Sequence, residues 1–290
     1  MQFLFLSFAG LYSYWYSMWH LTKIPKILHI YWGGGRLAYL RYLTISTFRH
    51  LNPEWQIILY KPLINQVDKT WTTTELKYAE NYTDYLGQVE SLGVTIQNVD
   101  FSLHGFDNNA SEVHKSDFLR WYLLATFGGF WADMDILFFK SMDDLYFNTP
   151  QTSNIDTVFC ICDYGHSIGF LMSSANNPCF KKISQNAVHE YKKEGYQCIG
   201  SLLCNKLFPT IASCSIEGAA PHNLDMGVVY AYNCFHVDEL YTPYPPQRMP
   251  VHAIGIHWYA GNRFSGKYLN ETNGGAAKTG KNLFIEKYMP

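Results

Sequence analysis

Charge is scarce in this chain. Lys, Arg, Asp and Glu together make up 16% of its 290 residues, and the formal net charge is −2. Without a basic excess, the chain cannot bind nucleic acid by charge alone. Hydrophobic residues reach 48%, which excludes a disordered polymer and implies a folded globular protein large enough for a full core. The seven cysteines contain no pair at zinc-site spacing: Cys160 and Cys162 are separated by one residue and the others are scattered. A structural zinc is therefore not expected; the pattern suits buried thiols, with a disulfide or two only in an oxidising compartment. Internal repeats and low-complexity linkers are lacking too.

The run from Phe3 to Leu21 carries no charged side chain and approaches the length of a bilayer core. It also carries several serines, His20 and clustered aromatics, and it lacks a basic leader and a small-residue cleavage site. Residues 1–22 thus read either as a membrane anchor, which would give a membrane-associated or lumenal protein, or as a packed segment. Three Asn-x-Ser/Thr sequons, at Asn81, Asn109 and Asn270, do not decide the compartment.

What the chain has in plenty is aromatic residues, 17% in all with 22 Tyr. Such rings suit sugar faces as well as ordinary cores. After Pro25, the apolar run Lys26–Trp32 ends in Gly33, Gly34 and Gly35. A continuous apolar strand ending in glycines predicts a buried parallel strand with a loop at its carboxyl end, where α/β folds place ligands. Helices are predicted over 37–51, 70–92, 111–127, 178–193 and 200–208. Strands are predicted over 55–60, 94–99, 130–132 and 136–139, then 158–162, 169–173, 227–232 and 253–257. Strands alternating with helices make the class α/β.

The most informative stretch is Ser116, Asp117 and Arg120 on the 111–127 helix, then Gly128 and Gly129, then Asp133, Met134 and Asp135 after a short strand. Two carboxylates one residue apart make a hard, oxygen-rich site suited to Mg²⁺ or Mn²⁺, which would bridge a diphosphate. Asp117 and Arg120, three apart, share a helix face. Arg120 could hold a phosphate or sugar hydroxyl, and Asp117 could accept hydroxyl hydrogen bonds. The bland alternative is a surface ion pair and two solvated turn carboxylates.

These residues resemble the glycosyltransferases with a DXD sugar-binding region, glycosyltransferase family thirty-two, which includes yeast-type initiating mannosyltransferases and bacterial capsule transferases. More remotely they resemble the glucosyltransferase domains of large clostridial toxins. The resemblance rests on residues 24–34, 115–122 and 128–135, with a later His257-Trp258 element. It implies a GT-A fold: a Rossmann-like nucleotide-binding sheet with an appended acceptor subdomain. The donor half would be 23–145, the acceptor-side half 146–265, and 266–290 a tail. It implies a UDP- or GDP-sugar donor and a Mn²⁺ or Mg²⁺ cofactor. Ile30, Tyr31 and Trp32 would meet the nucleobase and ribose, and Asp117 and Arg120 the donor sugar and diphosphate. Asp133 would bind ribose or sugar hydroxyls and help Asp135 hold the metal. His257 would sit by the metal or diphosphate, with Trp258 near the leaving phosphate. The acceptor would be a glycan, a protein or a lipid-linked sugar, with nucleic acid disfavoured by charge.

The resemblance also implies retention of anomeric configuration. An inverting enzyme would need a carboxylate base beside the acceptor, for which Asp163, Glu217 and Asp225 are the loop candidates. Two departures fall on the acceptor side: Ala260–Phe264 stands where the family often carries Ser-Trp, and Ser201 follows Gly200 where a Pro is common. Two rivals remain open at this stage. One is a non-catalytic nucleotide-sugar-binding protein on the same fold. The other is a haloacid-dehalogenase-type phosphatase, in which the first Asp would be the nucleophile.

Overall fold

The apolar run after Pro25 forms β1 (Ile27–Tyr31), buried along nearly its whole length. It lies parallel to β2 (Gln56–Pro62) on one side and to β4 (Gly129–Ala132) on the other. The computed structural model describes residues 19–66, 83–216, 218–241, 248–262 and Ser265. Beyond β2, β3 (Thr95–Val99) continues the sheet in parallel. On the other flank, β7 (Gly165–Ser173) runs antiparallel to β4, β6 (Thr157–Cys162) pairs antiparallel with β7, and β8 (Pro221–Asn223) lies parallel to β6. The order is β3-β2-β1-β4-β7-β6-β8, and β7 alone runs against the rest. This mixed α/β architecture is the GT-A arrangement the resemblance implies. Strands from both halves of the chain complete one sheet.

Helices cover both faces of the sheet. α1 (Tyr39–Leu51) buries Leu43, Ile45 and Phe48 on one side. There Phe48, Trp55, Phe130 and Phe138 form one core, and Trp19 packs edge-on against Trp55 at 4.9 Å. α3 (Glu112–Thr126), α4 (Pro178–Glu190) and α5 (Ser201–Leu207) build the opposite core around Trp121, Trp131 and Phe180. α3 begins where expected, with the Ser111 side chain accepting from the His114 N–H. α4 begins at Pro178 behind an Asn177 cap.

The turn from α3 into β4 depends on Gly128 and Gly129, at φ +68° and +98°. A Cβ on Gly128 would stand 2.5 Å from the Ala175 backbone nitrogen, and one on Gly129 would stand 2.7 Å from the Ile27 carbonyl oxygen. No side chain fits either place, so the sharp return to the sheet requires glycine.

After β4 the chain leaves the large sheet. β5 (Ile136–Phe138) pairs antiparallel with β9 (Gly255–His257) in a separate two-stranded sheet, with Ile136 opposite His257. Residues 227–232, expected as a strand, instead open in a 3-10 turn over Met226–Val228. The cause is local: the Asp225 carboxylate accepts from the Gly227 N–H at 2.6 Å and closes the turn. The predicted 70–92 helix is seen as α2 (Leu86–Ser91); residues 70–82 lie outside the described residues. So do 1–18, Glu217, the 266–290 tail, and the sequons at Asn81 and Asn270. Among the described residues, no helix is long and apolar enough to cross a membrane. All seven cysteines are free.

Candidate active site

From β1 the chain turns to β2 and β3 on one side of the sheet, then returns to β4 on the other. The carboxyl ends of β1 and β4 therefore flank the point where strand order reverses, the place where open α/β sheets leave a crevice. A cleft of about 340 Å³ opens there. Tyr31, Trp32 and the Gly33–Gly35 loop line it from β1, Asp117 and Arg120 from α3, and Asp133 and Asp135 from the end of β4. A second cleft, of about 710 Å³, shares Asp133 and Asp135 with the first and is otherwise lined by residues from β7 and the 196–201 and 230–262 segments.

Arg120 ties the first cleft together. Its Nη2 stands 3.1 Å from Asp117 Oδ1 and 3.2 Å from Asp133 Oδ1, and its Nη1 donates to the Ile168 carbonyl at 2.6 Å. The guanidinium also lies over the Trp131 ring, 5.0 Å from its centroid. Trp131 Nε1 donates to Asp133 Oδ1 at 2.9 Å, so Asp133 is oriented by two donors. Asp117 is buried, and its Oδ2 has no hydrogen-bond partner. Burial pushes its carboxyl up to about 7; Arg120 opposes that rise and Asp133 adds to it.

Asp135 is also buried, but its acidity moves the other way. Burial alone would raise it, yet His257, Arg41 and the Ala260 N–H together hold it well below the usual carboxylate range. The β5–β9 pairing brings His257 Nε2 to 3.1 Å from Asp135 Oδ1. Tyr259 adopts a left-handed backbone at φ +50°, and the next N–H, of Ala260, donates to Asp135 Oδ2 at 2.9 Å. One ligand atom each from Asp133, Asp135 and His257 lie within 4.8 Å of one another.

Tyr31 lines the cleft with its hydroxyl donating to Glu112 Oε2 at 2.5 Å, and Glu112 in turn pairs with buried Lys115 at 2.9 Å. Trp32 is half-buried beside the glycine loop, its Nε1 donating to the Gly35 carbonyl at 3.2 Å. Two expected residues stand elsewhere. The Ile30 side chain is buried in the core below β1, and Trp258 is buried against α1 and β5; neither lines a cleft.

Sequence reasoning missed Arg41, Tyr196 and Gln197. Arg41, on the first turn of α1, lies over Trp32 at 4.8 Å and Trp258 at 5.6 Å and faces the first cleft. A cation one turn into the helix that follows a glycine loop was the available signal. Tyr196 and Gln197 line both clefts. No motif marks them.

The family match assigns this protein to the glycosyltransferases, a class that a crevice at the strand-order reversal with paired carboxylates opening onto two clefts suits. The chain belongs to the capsular polysaccharide synthesis protein family, whose model matches residues 63–218, just over half of its length. That match takes in Asp117, Arg120 and both aspartates, but not β1 or His257. No curated protein matches the chain. Among solved structures, it is similar to the PaToxG glycosyltransferase, with 16% identity, a TM-score of 0.46, and coverage of 66% of this chain and 74% of that one. It is similar to the galactosyltransferase LgtC in complex with donor and acceptor sugar analogs, with 14% identity, a TM-score of 0.45, and coverage of 91% and 96%. It is also similar to the ligand-free glycosyltransferase domain from the YGT toxin, with 13% identity, a TM-score of 0.38, and coverage of 58% and 63%.

Proposed function

We propose that this protein transfers a hexose from a UDP- or GDP-sugar to a hydroxyl acceptor, with Mn²⁺ or Mg²⁺ and with retention of anomeric configuration. The observation that carries the reading is that Asp133 and Asp135 line both clefts at once. A donor in the smaller cleft and an acceptor in the larger would meet at these carboxylates. On this reading residues 23–145 supply most of the donor side, and 146–265 most of the acceptor side.

The donor set suits a divalent ion. Two carboxylates and an imidazole converge, with buried Asp135 Oδ1 facing the His257 ring nitrogen. Asp135, Asp133 and His257 would hold the ion, which when bound supplies Lewis-acid stabilisation of the charge that develops on the leaving diphosphate. Arg120 fixes Asp117 and Asp133 and presents positive charge to the same region. Arg41 adds a second guanidinium on the side of Trp32. Asp117 Oδ2, unpartnered at the cleft wall, accepts a donor sugar hydroxyl. Tyr31 and Trp32 offer ring faces to the nucleobase.

In the transfer, the acceptor hydroxyl oxygen bonds to the anomeric carbon as the bond from that carbon to the diphosphate oxygen breaks. The acceptor proton passes to the leaving phosphate on the same face. The larger cleft supports this course: among the described residues that line it, the carboxylates are Asp133 and Asp135 themselves. Asp163 is exposed on the β6–β7 turn, and Asp225 caps its own turn and pairs with His252 at 3.2 Å. Neither lines the cleft. A dehalogenase-type phosphatase fits less well, because Asp133 Oδ1 is engaged by Arg120 and Trp131 and no lysine among the described residues lines either cleft.

The test is a panel of nucleotide sugars assayed for donor hydrolysis with and without Mn²⁺. At least one should be hydrolysed in a metal-dependent way, and Asp135→Ala should abolish that hydrolysis. Full activity in EDTA, retained by Asp135→Ala, overturns the metal assignment. Donor binding with neither hydrolysis nor transfer would make the protein a non-catalytic binder.

A further inference from the structure

The larger cleft differs in chemistry from the smaller one. Arg36, Arg41 and Arg120 line the donor side, whereas none of the described residues lining the larger cleft is Lys or Arg. Besides the shared carboxylates and the imidazoles of His166 and His257, its polar lining is hydroxyl and amide, and Tyr196, Tyr230 and Tyr259 add aromatic rings. Hydroxyl and amide edges beside aromatic faces match a sugar ring, which presents hydroxyls at its rim and C–H groups on its face.

The cleft also continues outward. Cys234 lines it, and the next residue, Phe235, is 70% exposed. The Phe235 ring meets Tyr164, itself 48% exposed, edge-on at 5.7 Å. Tyr164 stands on the β6–β7 turn, and its hydroxyl contacts Met226 Sδ at 3.6 Å. Phe235 is held by its backbone N–H, which donates to Asn233 Oδ1 at 3.0 Å. Two exposed rings in contact with each other beside a ring-lined cleft offer a surface on which a sugar face can stack.

We propose that the acceptor is an uncharged oligosaccharide of at least two units, whose terminal ring enters the larger cleft and whose next ring stacks on Tyr164 and Phe235. The proposal rests on the reading of the two clefts given above and narrows its acceptor. A sugar carried on an isoprenyl diphosphate would bring a phosphate charge to a cleft in which no described lining residue is Lys or Arg and two are carboxylates. A protein acceptor would need a contact patch of roughly 800 Å², whereas Tyr164 and Phe235 are a single pair of exposed rings beside the cleft.

The experiment uses the whole chain and whichever nucleotide sugar it hydrolyses. The acceptors are mono-, di- and trisaccharides of the gluco, galacto and manno series, and the same sugars linked to a short isoprenyl diphosphate. The expected result is a KM for the preferred series that falls about tenfold from mono- to disaccharide, the size of one aromatic contact. Tyr164→Ala and Phe235→Ala should each raise the disaccharide KM toward the monosaccharide value with little change in kcat. A readout independent of turnover is alkylation of Cys234, followed by peptide mapping, which the preferred disaccharide should slow at about a tenth of the concentration the monosaccharide requires. Equal KM values across lengths, preference for the diphosphate-linked sugars, transfer to protein alone, or no protection of Cys234 by any sugar would each overturn the proposal. If the unsubstituted chain hydrolyses no nucleotide sugar, the reading of the two clefts falls first; if it hydrolyses donor without length preference, this inference alone falls.

Discussion

Asp117 and Asp135 carry the same functional group and are both buried, yet their environments drive them apart. Asp135 faces an imidazole, a guanidinium and a backbone N–H, which outweigh burial and keep it ionised. Asp117 has Arg120 beside it, but burial prevails and Asp133 adds repulsion, so its carboxyl rises from 3.8 to about 7. This difference has a consequence for stability. Between about pH 4 and pH 7 the folded chain holds a proton on Asp117 that the unfolded chain has released, so stability falls as pH rises through that window. The three-unit gap corresponds to at most about 4 kcal/mol. Asp117→Asn, neutral at every pH, is expected to flatten this part of the profile of Tm against pH. A decline as steep as that of the unsubstituted protein would show that Asp117 does not titrate there.

The elements deliver these side chains with little slack. The Gly128–Gly129 turn lets α3 run straight back into β4, and β4 ends at Asp133. Gly128→Ala would push a methyl into the Ser173–Ala175 backbone at a left-handed φ, so a loss of about 2 kcal/mol or more is expected in urea unfolding. Gly87→Ala, in α2 with nothing within 4 Å of its Cβ, should be neutral or stabilise by about 0.5–1 kcal/mol. Equal midpoints for the two variants would contradict the tight-turn account. Most of these elements were legible in the sequence, because apolar runs bounded by glycine, proline and capping residues announce β1, α1, β2, α3 and β4. The antiparallel pairing of β6 with β7 was not, since neither run says which neighbour it takes. Residues 227–232 have a strand's composition, but the Asp225 cap turned their start into a 3-10 helix. Within the site, Asp117, Arg120, Asp133 and Asp135 stood out as a spaced polar set around a double glycine, whereas His257 was marked only by the family resemblance. The inward burial of Ile30 and Trp258 did not stand out, because a strand covered on both faces shows no alternation from which to read direction. Gln197 carried no motif or periodic signal and Arg41 only its place one turn into the helix after the glycine loop, and the fold brings both to the cleft.

At the scale of the whole molecule, one seven-stranded sheet with helices on both faces supports two clefts that meet over a pair of carboxylates. The smaller cleft is rich in guanidinium groups, and the larger, apart from the shared carboxylates, is lined by tyrosine rings with no Lys or Arg among its described residues. That division of chemistry suits a charged diphosphate in one cleft and an uncharged glycan in the other. It also makes the carboxylate pair, with the small β5–β9 sheet that carries His257 to it, the point on which the account turns. The most direct test is Mn²⁺ binding followed by electron paramagnetic resonance, with and without UDP or GDP, in the unsubstituted protein and in Asp135→Ala. The account predicts that one of these nucleotides tightens Mn²⁺ binding by about tenfold or more, a coupling of at least ~1.4 kcal/mol, and that Asp135→Ala loses both the ion and the coupling. Equal Mn²⁺ affinity in the two proteins, unmoved by either nucleotide, would contradict it.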